Sequence, residues 1–503
     1  MKKSIKIMVS FMGMIIIAIL ILVIIKQQTK SPQTQEVNID VQKGTFEYIP
    51  AFEEFSVEDV YYYSDDYFQN SGKEENEHLR TMSLCLALSA ITASDKVDKA
   101  ENVKKLLDDI GFCDISIEDI TEETSKDTIG TAIAHKKMKE KEMIVVSIRG
   151  AKYEVEWASN FWAGENGDAA GFSAAADLVV NRIKAYKTKY DLKKCQYWIV
   201  GYSRGGAVTN LLGKYINEAL EEFDTSEDDL YIYTFEAPAS SVSTETYANI
   251  HNVINPNDMI VYVYPEKWGL RNNGVEEIIA TENNKIVKKQ IEITNGLQMI
   301  DVVDENGKLE YISQQEFLED FVNWLTKNSR GLDYSITREK YVTVLEQPIT
   351  DIIEIYMSKT EPERKEIIDF FREICMTLTK EENRQELKEA LPDVSSMNFN
   401  FDEETMGALI NKNIEIVYKN ANIPLSREEL ETIKTSILPI IQASTPILIG
   451  SVFDGNTELK IGNIHICGFY HLATFINHFS EISLSHYIQT NLKLVQSMDS
   501  YYQ

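Results

Sequence analysis

The chain has 503 residues, 44% hydrophobic and 26% charged, so it can bury a sizeable core, and its length suggests two to four domains. With 50 Lys+Arg against 79 Asp+Glu the net charge is −29, which argues against a nucleic-acid partner because phosphate would be repelled. The five cysteines, Cys85, Cys113, Cys195, Cys375 and Cys467, form no CxxC pair. Their spacing therefore indicates neither a zinc site nor a disulfide framework, and no metal or cofactor is expected.

The N-terminus opens on a basic segment, residues 1–6, followed by "IMVSFMGMIIIAILILVII" at 7–25, which carries no charge. Nineteen such residues are about the length that spans a bilayer as a helix. Lys2, Lys3 and Lys6 ahead of the run favour a cytoplasmic N-terminus. No small-x-small cleavage site follows, so an uncleaved single-pass anchor is expected, with secretion after signal cleavage as the alternative. Either way the rest of the chain lies outside the cytoplasm. Residues 27–44 are polar, lack apolar periodicity and read as a tether.

From 45 to 275 the pattern is that of an α/β core. Helical runs are expected at 77–91 and at "ENVKKLLDDIGF", and a short strand near 127–137. Apolar strands at 143–150, 196–201, 230–238 and 250–256 then alternate with helices at 171–190 and 206–220. Continuous apolar strands separated by amphipathic helices indicate parallel βαβ units. Residues 276–455 break this pattern. A hairpin is expected around "DENGK", and then long acidic helices, with 29 Asp+Glu against 16 Lys+Arg between 301 and 450. Pro439 and Pro446 interrupt the apolar stretch 435–453, which argues against a second membrane span. Residues 456–503 return to strand-like patterning and a final helix from about 481 to 497, so the core reads as interrupted by a helical insertion or cap and completed by the C-terminus.

The stretch "WIVGYSRGGAVTN", 198–210, places Ser203 between Gly201 and Gly205, where a strand-like run meets a helix-like one. A nucleophile elbow needs that strand–turn–helix context, with small residues on either side of the serine. It lifts the hydroxyl to a helix N-terminus, where developing negative charge is favoured. A serine also needs a base and a carboxylate to orient it. In α/β-hydrolases the order is Ser, acid, His, which sets aside His78 and His135; His251 precedes the acid and falls inside an expected buried strand. His465, His471, His478 and His486 remain.

These residues resemble class 3 lipases, and bacterial lipase-like proteins with a Ser-Arg-Gly-Gly elbow in particular. "VSIRGA" (146–151) with Trp157 resembles the family's FRGT…W segment, "GYSRGGAV" its elbow, and "IHNVINPNDMIVYVYPEKWGLRNNG" its acid segment. The resemblance covers roughly 77–275 and 460–490. It implies an α/β-hydrolase fold, Ser203 as nucleophile and Asp258 as triad acid, with Glu245 a poorer upstream competitor. It implies backbone N–H groups of Arg204 and Ala151 as oxyanion donors. The family's base lies on a loop just ahead of the last helix, which points to His478, with His471 as runner-up; His486 would fall inside the helix and His465 inside a strand. Tyr202 and Arg204 stand where the family has His and Leu. Arg204 either pairs with a carboxylate, Glu236 being the candidate, or lies exposed.

The expectation is a membrane-anchored serine hydrolase of carboxylic esters, with lipid (acylglycerol) esters among the candidate substrates. The alternatives are a non-catalytic cell-surface binding protein that keeps the fold, or an acyltransferase or amidase using the same triad.

Overall fold

A computed structural model describes residues 41–48, 56–91, 98–120, 129–151, 154–256, 258–264, 268–279, 299–303, 309–313, 337–378, 383, 403–421, 423–453, 459–461, 464–466 and 486–502. The expected membrane anchor at 7–25 lies outside these residues. So does the expected tether, except for its last residues, which open a strand instead. Strand β1 (Gln42–Tyr48) pairs with β2 (Val57–Tyr63). Its polar start hid it: Gln42, Lys43 and Glu47 face out or lie at the margin, while Phe46 and Tyr48 are buried, as are Tyr61 and Tyr63 across the hairpin.

Helix α1 (Glu77–Ser89) is buried continuously from Leu79 onward, which explains its largely apolar sequence. Asn76 caps it by accepting from His78 N and Leu79 N. Helix α2 (Lys99–Asp109) is capped in the same way by Asp98.

The central sheet has seven strands in sequential order: β3 (Cys113–Glu118), β4 (Thr131–Met138), β5 (Lys141–Ile148), β6 (Cys195–Tyr202), β7 (Leu230–Phe235), β8 (Ile250–Ile254) and β9 (Val275–Ile278). The β3–β4–β5 pairs are antiparallel and every pair from β5 to β9 is parallel. All eight residues of β6 are buried, as a parallel strand covered on both faces requires. Its side chains divide by alternation. Trp198, Val200 and Tyr202 join a core with α1, α2 and the first hairpin. Tyr197 and Ile199 join a second core with α4 (Ala170–Tyr190) and α5 (Arg204–Glu218). The short helix α3 (Glu154–Ser159) follows β5.

Past β9, β10 (Met299–Val303) and β11 (Leu309–Ser313) form the expected antiparallel hairpin, with Val303 opposite Leu309. Among the described residues four longer helices follow: α6 (Glu346–Met357), α7 (Glu361–Leu378), α8 (Glu403–Asn420) and α9 (Arg427–Phe453). They carry a core of their own, with Ile367, Phe370 and Ile374 against Met406, Leu409, Ile410, Leu430 and Ile433. Pro439 and Pro446 do not interrupt α9, contrary to the sequence expectation: each proline deletes one N–H, and the rest of the ladder carries the helix past both. Among the described residues no helix is long and apolar enough to cross a membrane. The short pair β12 (Leu459–Ile461) and β13 (Ile464–Ile466) precedes α10 (Ile488–Ser497). Leu492, Leu494 and Val495 of α10 are buried in the same core as α1, so the C-terminal segment packs back on the sheet.

Candidate active site

Strand β6 delivers Ser203 directly to the first residue of α5. Ser203 has φ 56° and ψ −123°, a left-handed conformation that a side-chain-bearing residue adopts only when its surroundings enforce it. The enforcement comes from close packing. A Cβ on Gly201 would lie 2.2 Å from Gly205 O, and one on Gly205 would lie 2.3 Å from Ile148 O. Ser203 N donates to Phe235 O at 2.8 Å, pinning the turn to the neighbouring strand. The glycines that the sequence marked as elbow residues are therefore required by backbone proximity.

Asp258 is fully buried at the start of a 3-10 turn, Met259–Tyr262, and both of its oxygens are used. Oδ1 accepts from Ile260 N at 2.8 Å, the capping bond of an Asx turn. Oδ2 is 2.5 Å from His486 Nδ1, and His486 Nε2 is 2.8 Å from Ser203 Oγ. A carboxylate only accepts, so Nδ1 carries the proton and Nε2 is left to accept from the serine hydroxyl. The three residues form a continuous Ser–His–Asp relay.

The histidine in that relay is not the one expected from the sequence. His478 and the runner-up His471 lie outside the described residues, and the place assigned to His478 between Ser203 and Asp258 is held by His486. The reason is where the last helix begins. Tyr487 is extended (φ −73°, ψ 139°), and the first turn of α10 closes with Asn491 N donating to Tyr487 O at 3.1 Å. His486 thus sits just ahead of the helix and not within it. The residues that pack the helix on the core, Leu492 and Val495 with Ile488 against them, follow His486. His465 does lie in a strand, opposite Lys460, and His251 in buried β8.

Four further residues hold the relay. Tyr202 Oη donates to the backbone O of His486 at 2.6 Å and accepts from Asn491 Nδ2 at 2.8 Å. Its ring centroid lies 5.5 Å from the imidazole. Burial, and then the nearby Glu236 and Asp258 carboxyls, push the Tyr202 phenol well up, so it remains a donor. Asn255 Nδ2 donates to Asn491 Oδ1 at 3.0 Å, linking the acid loop to α10. Glu236 is completely buried, has φ 50°, and receives Asn255 N at 3.0 Å on both carboxyl oxygens. It also hydrogen-bonds Asp258; burial first and the Asp258 charge second push its carboxyl well above the usual range. Burial and the neighbouring Asp258 charge both favour the protonated form of Glu236. Tyr202 was visible in the sequence as a departure from the family's histidine. Asn255, Asn491 and the Glu236–Asp258 contact have no local signature.

On the other side of the elbow, Arg204 is buried, not exposed. Its Nη1 donates to Ser159 Oγ at 2.7 Å and Asn160 Oδ1 at 3.2 Å, and its guanidinium lies 5.9 Å from the Phe172 ring centroid. The carboxylate anticipated for it, Glu236, is engaged instead by Asn255 and Asp258. As the first residue of α5, Arg204 has a backbone N–H with no intrahelical acceptor. Ala151 is half-buried and follows Gly150, where a Cβ would come 3.1 Å from Tyr202 O. The buried Arg149 makes a charge-assisted bond to the equally buried Glu156, tying the end of β5 to α3.

The turn after α3 is also where the helical region attaches. Tyr264 Oη donates to Asn160 O at 2.7 Å, Tyr341 Oη to Phe161 O at 2.8 Å, and Ala163 N to Glu346 Oε2 at 3.0 Å. Arg338 donates to Gly164 O and Gly167 O at 2.7 and 2.8 Å. One turn therefore bonds both to Arg204 of the elbow and to the segment that leads into α6.

A scan against protein-family models finds no match, and a search of curated protein sequences finds none either. Solved structures give distant, partial likenesses, among them to lipases. The lipase from Rhizopus microsporus var. chinensis is 20% identical over 35% of this chain, with a TM-score of 0.26, and the chain spans 64% of that lipase's length. A triacylglycerol lipase whose catalytic centre is a serine protease triad is 18% identical over 42% of this chain and 83% of its own, with a TM-score of 0.31. Lipase II from Rhizopus niveus is 20% identical over 40% of this chain and 77% of its own, with a TM-score of 0.28.

Proposed function

We propose that the protein is a serine hydrolase that cleaves carboxylic esters through an acyl-enzyme. The observation that carries this reading is the continuous relay from Ser203 Oγ through both nitrogens of His486 to Asp258. In the first half-reaction Ser203 Oγ attacks the ester carbonyl carbon while His486 Nε2 takes the hydroxyl proton. Asp258 keeps Nδ1 protonated and stabilises the imidazolium that forms. Collapse of the tetrahedral intermediate expels the alkoxide, which takes the proton from Nε2. Water then attacks the acyl-enzyme by the same route, with His486 as base, and releases the acid. The oxyanion would rest on the backbone N–H groups of Arg204 and Ala151, each donor supplying on the order of 3 kcal/mol in the transition state.

The helices α6–α9 support a cap over the acyl site, since the turn that holds Arg204 also holds their leading segment. Lipid (acylglycerol) esters are one candidate substrate class. The uncharged run at 7–25 supports a membrane anchor with the hydrolase domain outside the cytoplasm; protease treatment of intact cells should then digest the domain, and its full protection would contradict that placement. The chemistry is tested by a fluorophosphonate probe read by peptide mass spectrometry. Labelling at Ser203, abolished in Ser203→Ala together with ester turnover, is expected. A folded protein that resists the probe, or Ser203→Ala with unchanged turnover, sinks the reading. A chain-length series of p-nitrophenyl esters distinguishes a lipase, which prefers long acyl chains, from an esterase, which prefers short ones.

A further inference from the structure

At the edge of the sheet remote in sequence from the triad, β3 carries an irregularity with a chemical consequence. Regular pairing of β3 with β4 places Cys113 opposite His135, but the register shifts between Cys113 and Ser116. Asp114 sits in that shift with φ 53°. In a regular strand adjacent residues point to opposite faces; a bulge with one left-handed residue turns both to one side. Here Cys113 Sγ lies 3.8 Å and Asp114 Oδ2 3.9 Å from the same atom, His135 Nε2. A thiol, a carboxylate and an imidazole nitrogen, from two strands, thus converge within 4.8 Å of one another.

The imidazole is oriented for this. Tyr186 Oη has one proton, and it donates to Asp114 O at 2.9 Å. At 2.9 Å from His135 Nδ1 the same oxygen must therefore accept, so Nδ1 bears the ring proton. Nε2 is left with its lone pair facing Cys113 and Asp114. A metal-binding histidine is held in the same way, with its distal N–H donated to a fixed acceptor. Four-coordinate zinc, with bonds of about 2.0–2.3 Å, needs ligand atoms about 3.3–3.8 Å apart. The two separations from His135 Nε2, 3.8 Å to Cys113 Sγ and 3.9 Å to Asp114 Oδ2, need to close by only a few tenths of an ångström.

We propose that Cys113, Asp114 and His135 form a binding site for a borderline-soft divalent cation of the zinc type, with water as the fourth ligand. The thiol–imidazole–carboxylate set selects zinc-like ions over calcium or magnesium, which prefer all-oxygen shells. Binding forms the metal–sulfur bond and releases the thiol proton to solvent. The cation would pin β3, the outermost strand, to β4. The other such cluster among the described residues, Glu77, His78 and Asp499, is differently built: Asp499 Oδ1 already accepts from His78 Nδ1 and Tyr501 N at 2.8 and 2.9 Å, a tie for the C-terminal segment.

The test is a cobalt titration of the full chain under reducing conditions. One Co²⁺ per chain is expected, with the visible bands of tetrahedral cobalt and a thiolate-to-cobalt charge-transfer band, displaced by Zn²⁺ and not by Ca²⁺ or Mg²⁺. Cys113→Ser should lose the charge-transfer band, His135→Gln should weaken binding, and Tyr186→Phe should weaken it about 10- to 100-fold. A spectrum without the thiolate band, an octahedral one, or binding unchanged in Cys113→Ser overturns the proposal. The wild-type chain supplies a check that needs no variant: Zn²⁺ should slow alkylation of Cys113 by iodoacetamide, read by peptide mass, and an unchanged rate also overturns it.

Discussion

Ser203 and His486 end 2.8 Å apart, yet the chain codes for them in opposite ways. The elbow is local. Its strand, its left-handed serine, its two glycines and its helix occupy one contiguous run, and each feature constrains the next. The base is placed at a distance. His486 is held by Tyr202 of the elbow at its carbonyl, by Asp258 at its ring, and by a helix that Asn491 and Asn255 lock to the acid loop. The serine is thus specified by its neighbours in sequence, whereas the histidine is specified by buried polar contacts between residues 228 to 289 apart.

The comparison can be broken first at the acid. Asp258→Asn can no longer hold the Nδ1–H tautomer, and turnover should fall about 10⁴-fold with melting temperature little changed; stopped-flow or steady-state ester hydrolysis measures it, and a loss under tenfold would detach Asp258 from the relay. Next comes the locally coded side. Gly205→Ala brings a Cβ to 2.3 Å from a strand carbonyl and should cost about 3 kcal/mol of stability, seen in chemical denaturation, along with activity. A stable, active Gly205→Ala would mean the elbow is less closely packed than described.

The distantly coded side responds more gently. Tyr202→Phe removes the donor to His486 O and leaves Asn491 Nδ2 without its acceptor, a change of about 1–3 kcal/mol. It should lower kcat roughly tenfold with KM nearly constant, and Asn491→Ala should add less than its own effect on top, because the two share one network. Full additivity would contradict the network.

Smallest is the effect of Glu236→Gln. The folded-state pKa of Glu236 is raised, so the folded protein holds a proton that the unfolded chain releases above its ordinary value of 4.5. This contribution to stability is fully present below about pH 4.5 and is lost as pH rises toward the folded-state pKa. Glutamine mimics the protonated acid at every pH, so the stability of Glu236→Gln relative to wild type should increase from pH 5 upward. A difference that is flat or of opposite slope in pH-dependent melts would show Glu236 ionised.

The alternating strands and helices of the core were legible because parallel strands buried on both faces read as unbroken apolar runs, as β6 does. The serine was legible for the local reasons above, and Asp258 through the resemblance of the segment 250–274 to the acid segment of class 3 lipases. The base was not. Periodicity drawn back to 481 swallowed His486, while the break at Tyr487 is set by tertiary contacts, with no capping side chain to announce it. β1 was hidden by its polar outward face. The cysteine spacing rule likewise could not see Cys113 and His135, since strand pairing joins residues 22 apart.

The most direct measurement is ester kcat/KM for His486→Ala beside His478→Ala, each in the full chain and with its melting curve. Loss of at least about 10³-fold in His486→Ala, with His478→Ala within a few-fold of wild type, is the predicted result. Turnover that survives in a folded His486→Ala, or disappears in His478→Ala alone, would contradict the assignment of the base.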